Sequence, residues 1–385
     1  MRKARIKYSI KYDLGGSVKN FSKFLEALSA TRSIVLKKSD LSVFNLSFLS
    51  RTDPIIDLSP STVSFDDHEW KLEISIEASG IITFYLTSGS IEEATDRELA
   101  NRLLNLHDQF IKEKNIDYLG HLKTHGELKG SLASTAAVNG NTKLLLSELV
   151  DEIRSLASSQ LRTRKLYAFH DFRPIFIVDS ASTLEKPTAK ALLNLSSVAD
   201  EEEVLSEEST TSYRCGRIYG NSWSFIVDAR FWGDELERLF HKAHSMWFLA
   251  QSAIFEMRDI DQHILDDEDE LDPIFGNSLQ TSIKFMRDKK NELFVDLFSA
   301  FNSDFITKNS RCRDEFNFLK SNFDMSKQLE ILEKYVDRIA DYLTDHSSQV
   351  EQEQSRIVAQ NTRMLEILFL INTVAGIGSF APALF

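Results

Sequence analysis

Strand signals and helix signals are separated along this chain, and this separation constrains its fold more than any other feature. The short apolar runs bounded by turn residues, which are typical of strands, all lie before Trp232. After Trp232, apolar residues recur at helical spacing almost to the end of the chain. Because such a separation is typical of α+β proteins, we predict an α/β domain over residues 1–235 and a helical region over 236–362.

The α/β domain contains two sets of predicted elements. Strand candidates lie at residues 6–12, 33–36, 41–49, 69–76 and 80–86, and helix candidates lie at 21–28, 92–114 and 144–161. The two runs that begin at Arg173 and Trp223 are continuously apolar, as expected of strands buried on both faces. A second set of elements follows residues 130–143, where we predict a break between two subdomains.

Composition and charge exclude several classes of protein. Apolar residues make up 42% of the chain and charged residues 27%, which is the mix of a folded protein. The net charge of -13 argues against nucleic acid as a partner, because binding to phosphate backbones requires a basic surface. The basic N-terminus is followed by a strand pattern and not by the apolar run of a signal peptide, so we expect the N-terminal domain in the cytoplasm.

A heptad stripe marks the helical region. Five apolar residues follow one another at steps of 3, 4, 3 and 4, and they are Leu329, Leu332, Val336, Ile339 and Leu343. This spacing is typical of helices that pair, so it predicts an oligomer seam. No Gly or Pro interrupts the pattern before Gly376, which predicts one long stalk helix that begins at about residue 316.

The last segment of the chain, residues 363–385, is the most apolar. From Met364 onward it carries a single charged residue, Glu366, and it is long enough to cross a hydrocarbon core of ~30 Å. Arg356 and Arg363 precede Met364, which again favours a cytoplasmic N-terminal domain. We therefore predict a membrane helix. The alternative is an apolar helix buried between the subunits of an oligomer.

Catalytic motifs are missing from the sequence. It contains no Walker loop, no GxSxG, no HExxH and no GxGxxG after a strand, so we do not expect an enzyme. His121 and His125 are four residues apart, and His241 and His244 are three apart, as zinc ligands on a helix can be. For both pairs, a surface or packing role is favoured over a metal site.

An acidic run over residues 266–272 concentrates six carboxylates in seven residues. Hard oxygen ligands of this kind suit Mg²⁺ or Ca²⁺, and the candidate ligands are Asp266, Asp267 and Asp269. The run lacks the ligand spacing and central glycine of an EF-hand loop, so a solvated acidic loop is the favoured alternative. The sequence indicates no cofactor other than this cation.

The order of these parts resembles the CorA family of divalent-cation channels. The local match is Phe369-Leu-Ile-Asn-Thr-Val-Ala-Gly-Ile-Gly, which is similar to the end of that family's first transmembrane helix. Two features differ from the family pattern. Gly378-Ser-Phe-Ala stands where the family has its Gly-Met-Asn signature, and no second transmembrane helix follows.

The resemblance implies a funnel-shaped homo-oligomer, pentameric in the family, whose long helices converge on an axis. Four residues would then approach the axis, because steps of 3 and 4 keep them on one helix face, and they are Asn361, Met364, Leu368 and Asn372. The implied function is a cation channel or a ligand-gated membrane effector, as in prokaryotic defence. It would lie in the inner or plasma membrane, with its cytoplasmic domain binding an unknown ligand.

A second function from a different class remains open. The chain would then be a soluble, cytoplasmic, homo-oligomeric interaction or sensor protein, and its terminal helix would be buried between subunits. In that case self-association, and not a lipid bilayer, would cover the apolar segment.

Overall fold

The fold is described by a computed structural model over residues 1–14, 18, 21–31, 34–36, 55–58, 62–65, 68–77, 79–114, 119–123, 147–157, 167–195, 218–220, 224–266 and 310–380. Across these residues the chain forms a mixed sheet and helices, so the α+β fold class is confirmed. The predicted strand at 41–49, the predicted break at 130–143, and both Asp267 and Asp269 lie outside the described residues.

The described strands form one mixed sheet. They are β1 (Arg2–Asp13), β2 (Ile34–Leu36), β3 (Ile55–Leu58), β4 (Thr62–Phe65), β5 (His68–Ile76), β6 (Ile81–Thr87), β7 (Ile91–Glu93), β8 (Leu119–Lys123), β9 (Tyr167–Val178), β10 (Ile218–Gly220) and β11 (Phe225–Asp228). The order is β10-β11-β9-β1-β6-β5-β3-β2, with β4 beside β5, β7 beside β1 and β8 beside β9. Neighbours are antiparallel except β9 and β11, which are parallel.

Seven α-helices lie within the described residues. They are α1 (Phe21–Thr31), α2 (Asp96–Lys114), α3 (Ser147–Ala157), α4 (Lys186–Asn194), α5 (Asp234–Asp266), α6 (Ser310–Asn322) and α7 (Met325–Phe380). The predicted helix over 92–114 begins later, at Asp96, because residues 91–93 pair with β1 as a strand. Thr95 and Glu98 then cap it reciprocally, with the Glu98 amide donating to Thr95 Oγ1 at 3.2 Å and the Thr95 amide donating to Glu98 Oε2 at 3.1 Å.

One face of the sheet carries a largely apolar core. Alternate residues of β1 point into it, because side chains of a strand alternate between the two faces. Ile6 and Tyr8 are fully buried there, and Tyr8 stacks on Trp70 and Phe110 at ring-centroid distances of 5.1 and 4.5 Å. The helices on this face contribute Phe24 and Leu28 from α1, Leu99 and Leu103 from α2, Val150 and Ile153 from α3, and Ala189 and Leu192 from α4.

A second core lies on the other face, over β9, β10 and β11. Ile175 and Ile177 of β9 pack with Phe225 and Val227 of β11, and α5 and α6 cover them with residues such as Leu239, Phe240, Phe316 and Leu319. Ile175, Phe176 and Ile177 are all buried, so the prediction that this continuous run is buried on both faces is confirmed.

The long helix α7 is preceded by a sharp turn. Asp324 adopts a left-handed backbone conformation with φ of 49°, which ends α6 and separates it from α7. The long helix therefore begins at Met325 and not at about residue 316. It continues for 56 residues to Phe380.

The prediction of a transmembrane helix is wrong. Among the residues that the structure describes, no helix is both long enough and apolar enough to cross a membrane. The reason lies in the composition of α7, which is polar over most of its length and exposes Arg356, Arg363 and Glu366. After Glu366, α7 ends at Phe380, so the uncharged stretch of this helix is shorter than the about 20 apolar residues that a membrane span needs.

The chain divides into two compact units. The first comprises Met1–Glu256 and Leu293–Leu332, and the second comprises Met257–Glu292 and Glu333–Phe385. The sheet, both apolar cores and the first two turns of α7 belong to the first unit.

Candidate functional site

The sheet face below α5 carries a buried group of polar and charged side chains, here called the polar network. On β1 the network contains Lys7, Ser9, Lys11 and Asp13, which alternate with the apolar residues of the first core. A strand with this alternation normally faces water on its polar side. Here α5 covers that side, and Lys11 and Asp13 are 0% exposed. Charges buried in this way require partners.

Glu77 is the centre of one half of the network. Its Oε1 accepts a hydrogen bond from Ser245 Oγ and lies 3.1 Å from His241 Nε2, while its Oε2 lies 3.8 Å from Lys242 Nζ. Burial by itself would raise the pKa of Glu77, but Lys242, His241 and Lys11 together hold it well below the usual value. Glu77 is therefore a buried carboxylate anion.

Lys11 supplies a compensating charge. Its Nζ donates to Thr83 Oγ1 and to Ser245 Oγ, both at 2.7 Å, and lies 3.4 Å from His241 Nδ1. Burial and the Lys11 charge lower the pKa of His241 to about 4, so this imidazole is neutral at pH 7. A neutral ring that accepts at Nδ1 donates at Nε2, which matches its position beside Glu77.

Asp171 is the centre of the other half of the network. Its Oδ2 accepts from His244 Nε2 at 2.5 Å and from Arg173 Nε at 2.8 Å, and His244 Nδ1 lies 3.1 Å from Ser9 Oγ. Burial opposes ionisation of Asp171, but Arg173 and His244 hold its pKa below the usual value. Burial lowers the pKa of His244 to about 3, so this ring is also neutral.

A third charged group of the network, centred on Lys7, lies near the start of α5. Lys7 Nζ lies 3.1 Å from Glu73 Oε2 and also donates to Glu237 Oε1 of α5. The same ammonium lies 4.5 Å from the centre of the Tyr85 ring, within cation–π range. Further along α5, Ser252 donates to Asp13 at 2.9 Å. Polar contacts thus hold α5 to the sheet from Glu237 to Ser252.

Ser9, His244 and Asp171 have the residue types of a nucleophilic triad, but their placement excludes that chemistry. All three side chains are 0% exposed, so no substrate carbonyl can reach the Ser9 hydroxyl. The imidazole also faces the serine through Nδ1 and the carboxylate through Nε2, the reverse of the catalytic triad. What this arrangement does is fix the position of α5 on the sheet.

Sequence reasoning found only part of the polar network. It singled out His241 and His244 and favoured a surface or packing role for them over a metal site, and both are buried between α5 and the sheet. It missed their carboxylate partners, Glu77 and Asp171. An available signal was the repeated presence of both charge signs on one strand face, as in Lys71, Glu73, Ser75 and Glu77 of β5 and the residue after it.

Only one member of the other histidine pair lies within the described residues. His121 lies in strand β8, so helical spacing does not relate it to His125, which lies outside the described residues. Asp266 is the last residue of α5. Across the described part of the chain, no group of three or more His, Cys, Asp or Glu residues could hold a metal ion. The Mg²⁺ site at residues 266–269 stays a prediction.

The predicted oligomer seam is largely buried within one chain. Leu329, Leu332, Val336 and Ile339 are all covered by the chain's own residues. The fifth residue, Leu343, lies in α7, but its side chain is outside the described part. A subunit contact through the four buried residues would require those covering residues to move. Their role in an oligomer stays a prediction.

The four residues predicted to approach an axis all lie in α7. Asn361 and Met364 are exposed, and the side chains of Leu368 and Asn372 are outside the described part. The structure thus places Asn361 and Met364 on a helix surface that the rest of the chain leaves uncovered.

Comparisons of this chain with protein-family models, with curated proteins and with solved structures found no match. They neither support nor contradict the resemblance to the CorA family, which stays a prediction.

Proposed function

We propose that this chain is a homo-oligomeric interaction or sensor protein and that its long helix α7 forms the contact between subunits. The observation that carries the proposal is the exposure of α7 over residues 355–366. Every side chain in this stretch is exposed, including Ile357 at 50%, Val358 at 63%, Met364 at 67% and Leu365 at 66%.

The exposed stretch is unfavourable for a helix that remains alone. It spans about three turns, and helices gain most of their stability in proteins from packing of an apolar face. The four large apolar side chains would instead stay in water, where burying each would contribute about 1.5 to 3 kcal/mol. A partner that covers them would stabilise both the helix and the assembly.

A second copy of α7 is the partner that the spacing favours. Ile357 and Met364 continue the stripe of Leu329 and Val336 in steps of seven residues. The chain itself covers the first part of this stripe and leaves the second part exposed. A heptad repeat is the pattern with which helices pack against like helices, so the exposed part fits the same part of another subunit. In this proposal α7 acts as the stalk of the oligomer.

The test is a comparison of two double variants in sedimentation equilibrium. Ile357→Asp with Met364→Asp places charges on the stripe and should convert the oligomer to monomer. Ser355→Asp with Thr362→Asp, also exposed and two residues before each, places the same charges on another face of α7 and should leave the oligomer intact.

Circular dichroism should confirm that both double variants remain folded. A wild-type chain that is monomeric at tens of micromolar would refute the proposal. So would a stripe variant that associates as strongly as the control.

A further inference from the structure

The residue before the turn at Asp324 packs against four aromatic rings, which are Phe225 of β11 and Phe240, His244 and Trp247 of α5. Phe323, the residue before Asp324, is 1% exposed and stacks on His244 with a centroid distance of 5.6 Å and an interplanar angle of 3°. The same ring lies 5.9 Å from the ring of Trp247. Because Phe323 fills this position, the place where α7 begins depends in part on how His244 and Trp247 are held.

One buried carboxylate holds both rings. Asp171 accepts directly from His244 Nε2 at 2.5 Å, which fixes the plane of the imidazole together with Ser9 on its other nitrogen. Asp171 also pairs with Arg173 at 2.8 Å, and the guanidinium of Arg173 lies 4.4 Å from the centre of the Trp247 ring. Asp171 is thus connected to Phe323 by two series of contacts, one through His244 and the other through Arg173 and Trp247.

The first turn of α7 is fixed by further contacts. Gln328 donates its backbone amide to Asp324 O at 3.1 Å, and its side-chain oxygen accepts from Gln251 Nε2 of α5 at 2.5 Å. The left-handed conformation of Asp324 allows little freedom in the turn itself. A shift of the rings below Phe323 would therefore move the start of α7 as a rigid element.

We propose that Asp171 and His244 are positioning residues for α7, so that a change in the buried polar network alters the subunit contact without touching it. The part about subunit contact rests on the proposed function, whereas the positioning of the first turn does not. Such coupling between separate sites has a typical size of 5-fold to 150-fold in an association constant. It requires a physical connection, and here that connection is the ring of Phe323 stacked on His244.

Two buried serines provide a matched pair for the test. Ser9 contacts His244 at 3.1 Å and Ser75 contacts His241 at 3.2 Å, both from the same sheet face and both at 0% exposure. His241 lies about one turn earlier on α5, where its ring packs against Tyr85. Ser9→Ala and Ser75→Ala remove the same buried hydroxyl group, but only the first change removes a contact of the ring on which Phe323 stacks.

Hydrogen exchange of the backbone amides at residues 323–332 is the first measurement. Ser9→Ala should accelerate exchange there at least about 10-fold. This corresponds to a loss of about 1.4 kcal/mol in the free energy of local opening. Ser75→Ala should leave exchange in this segment unchanged. Asp171→Asn, which alters both series of contacts, should give a larger effect than Ser9→Ala. Equal effects of the two serine variants on this segment would overturn the positioning role.

The second measurement is a double-mutant cycle on the self-association constant. Ser9→Ala should change association at least about 5-fold in the wild-type background and have no effect in the Phe323→Leu background, because the connection is then lost. Additive effects of the two substitutions, or no effect of Ser9→Ala on association, would overturn the coupling. A wild-type chain that never associates refutes the proposed function, and hydrogen exchange still tests the positioning of α7 in that case.

Discussion

Replacing Glu77 with Gln tests whether the polar network stabilises the fold as a set of compensating charges. The substitution keeps the size of the side chain and removes one negative charge. Glu77 is 2% exposed, accepts from Ser245, and lies beside His241 and Lys242. After the change, Lys11 and Lys242 keep their charges in the interior without this anion.

The expected cost follows from the loss of this anion beside the two lysines. Removal of one member of a buried ion pair destabilises proteins by about 3 to 5 kcal/mol. The total stability of a folded protein is about 5 to 15 kcal/mol, so the loss would be a large part of it. With a urea dependence of about 3 kcal/mol per molar, the unfolding midpoint should fall by about 1 to 2 M.

Urea denaturation followed by tryptophan fluorescence measures this shift, because Trp70 and Trp247 are both buried in the same unit. The matched control is Glu92→Gln. Glu92 forms an ion pair with Lys3 at 2.5 Å, but the two side chains are 38% and 52% exposed. Since solvent screens such pairs, the control should unfold at the wild-type midpoint. Equal midpoints for the two variants would refute the reasoning.

Three further predictions concern pH, packing and the heptad stripe. Stability should fall as pH drops below about 6.5, by about 1.4 kcal/mol per pH unit for each of His241 and His244. Burial lowers the pKa of His241 to about 4 and that of His244 to about 3, whereas the unfolded chain binds protons in this range. Thermal unfolding at pH 7, 6 and 5 checks this, and a melting temperature that does not change with pH contradicts it. Gly220→Ala should cost about 1 to 3 kcal/mol in urea unfolding, because the added Cβ would lie 2.4 Å from a ring carbon of Phe225. The control, Gly89→Ala, should leave stability unchanged, because no atom lies within 4 Å of its added Cβ. Unchanged stability of Gly220→Ala would show that the Phe225 ring moves aside. The urea midpoint of Leu332→Asp should be lower than that of the Ile357→Asp single variant, since Leu332 is 3% exposed and Ile357 is 50% exposed. The opposite order would mean that Leu332 is not part of the chain's own core.

The sequence by itself was sufficient for the fold class and for most elements. Alternation over residues 6–12 predicted β1, and continuous apolar runs predicted β9 and β11, because hydrophobic periodicity reports local structure. Element ends were less predictable, since they depend on partners. Residues 91–93 became strand β7 by pairing with β1, and the turn at Asp324 separated α6 from α7 within a pattern that looks continuously helical.

Only the tertiary structure decided where the polar residues of β1 and β5 lie. Periodicity shows that Lys7, Ser9 and Lys11 share a face, but it cannot show whether that face meets water or another helix. Their partners on α5 are more than two hundred positions away in the chain, so the pairing of Lys11 with Ser245 or of Ser9 with His244 has no local signal. The same limit applies to the heptad stripe of α7. Its seven-residue spacing continues from Leu329 to Met364, and the fold alone determines that the chain covers Leu329 and leaves Met364 exposed.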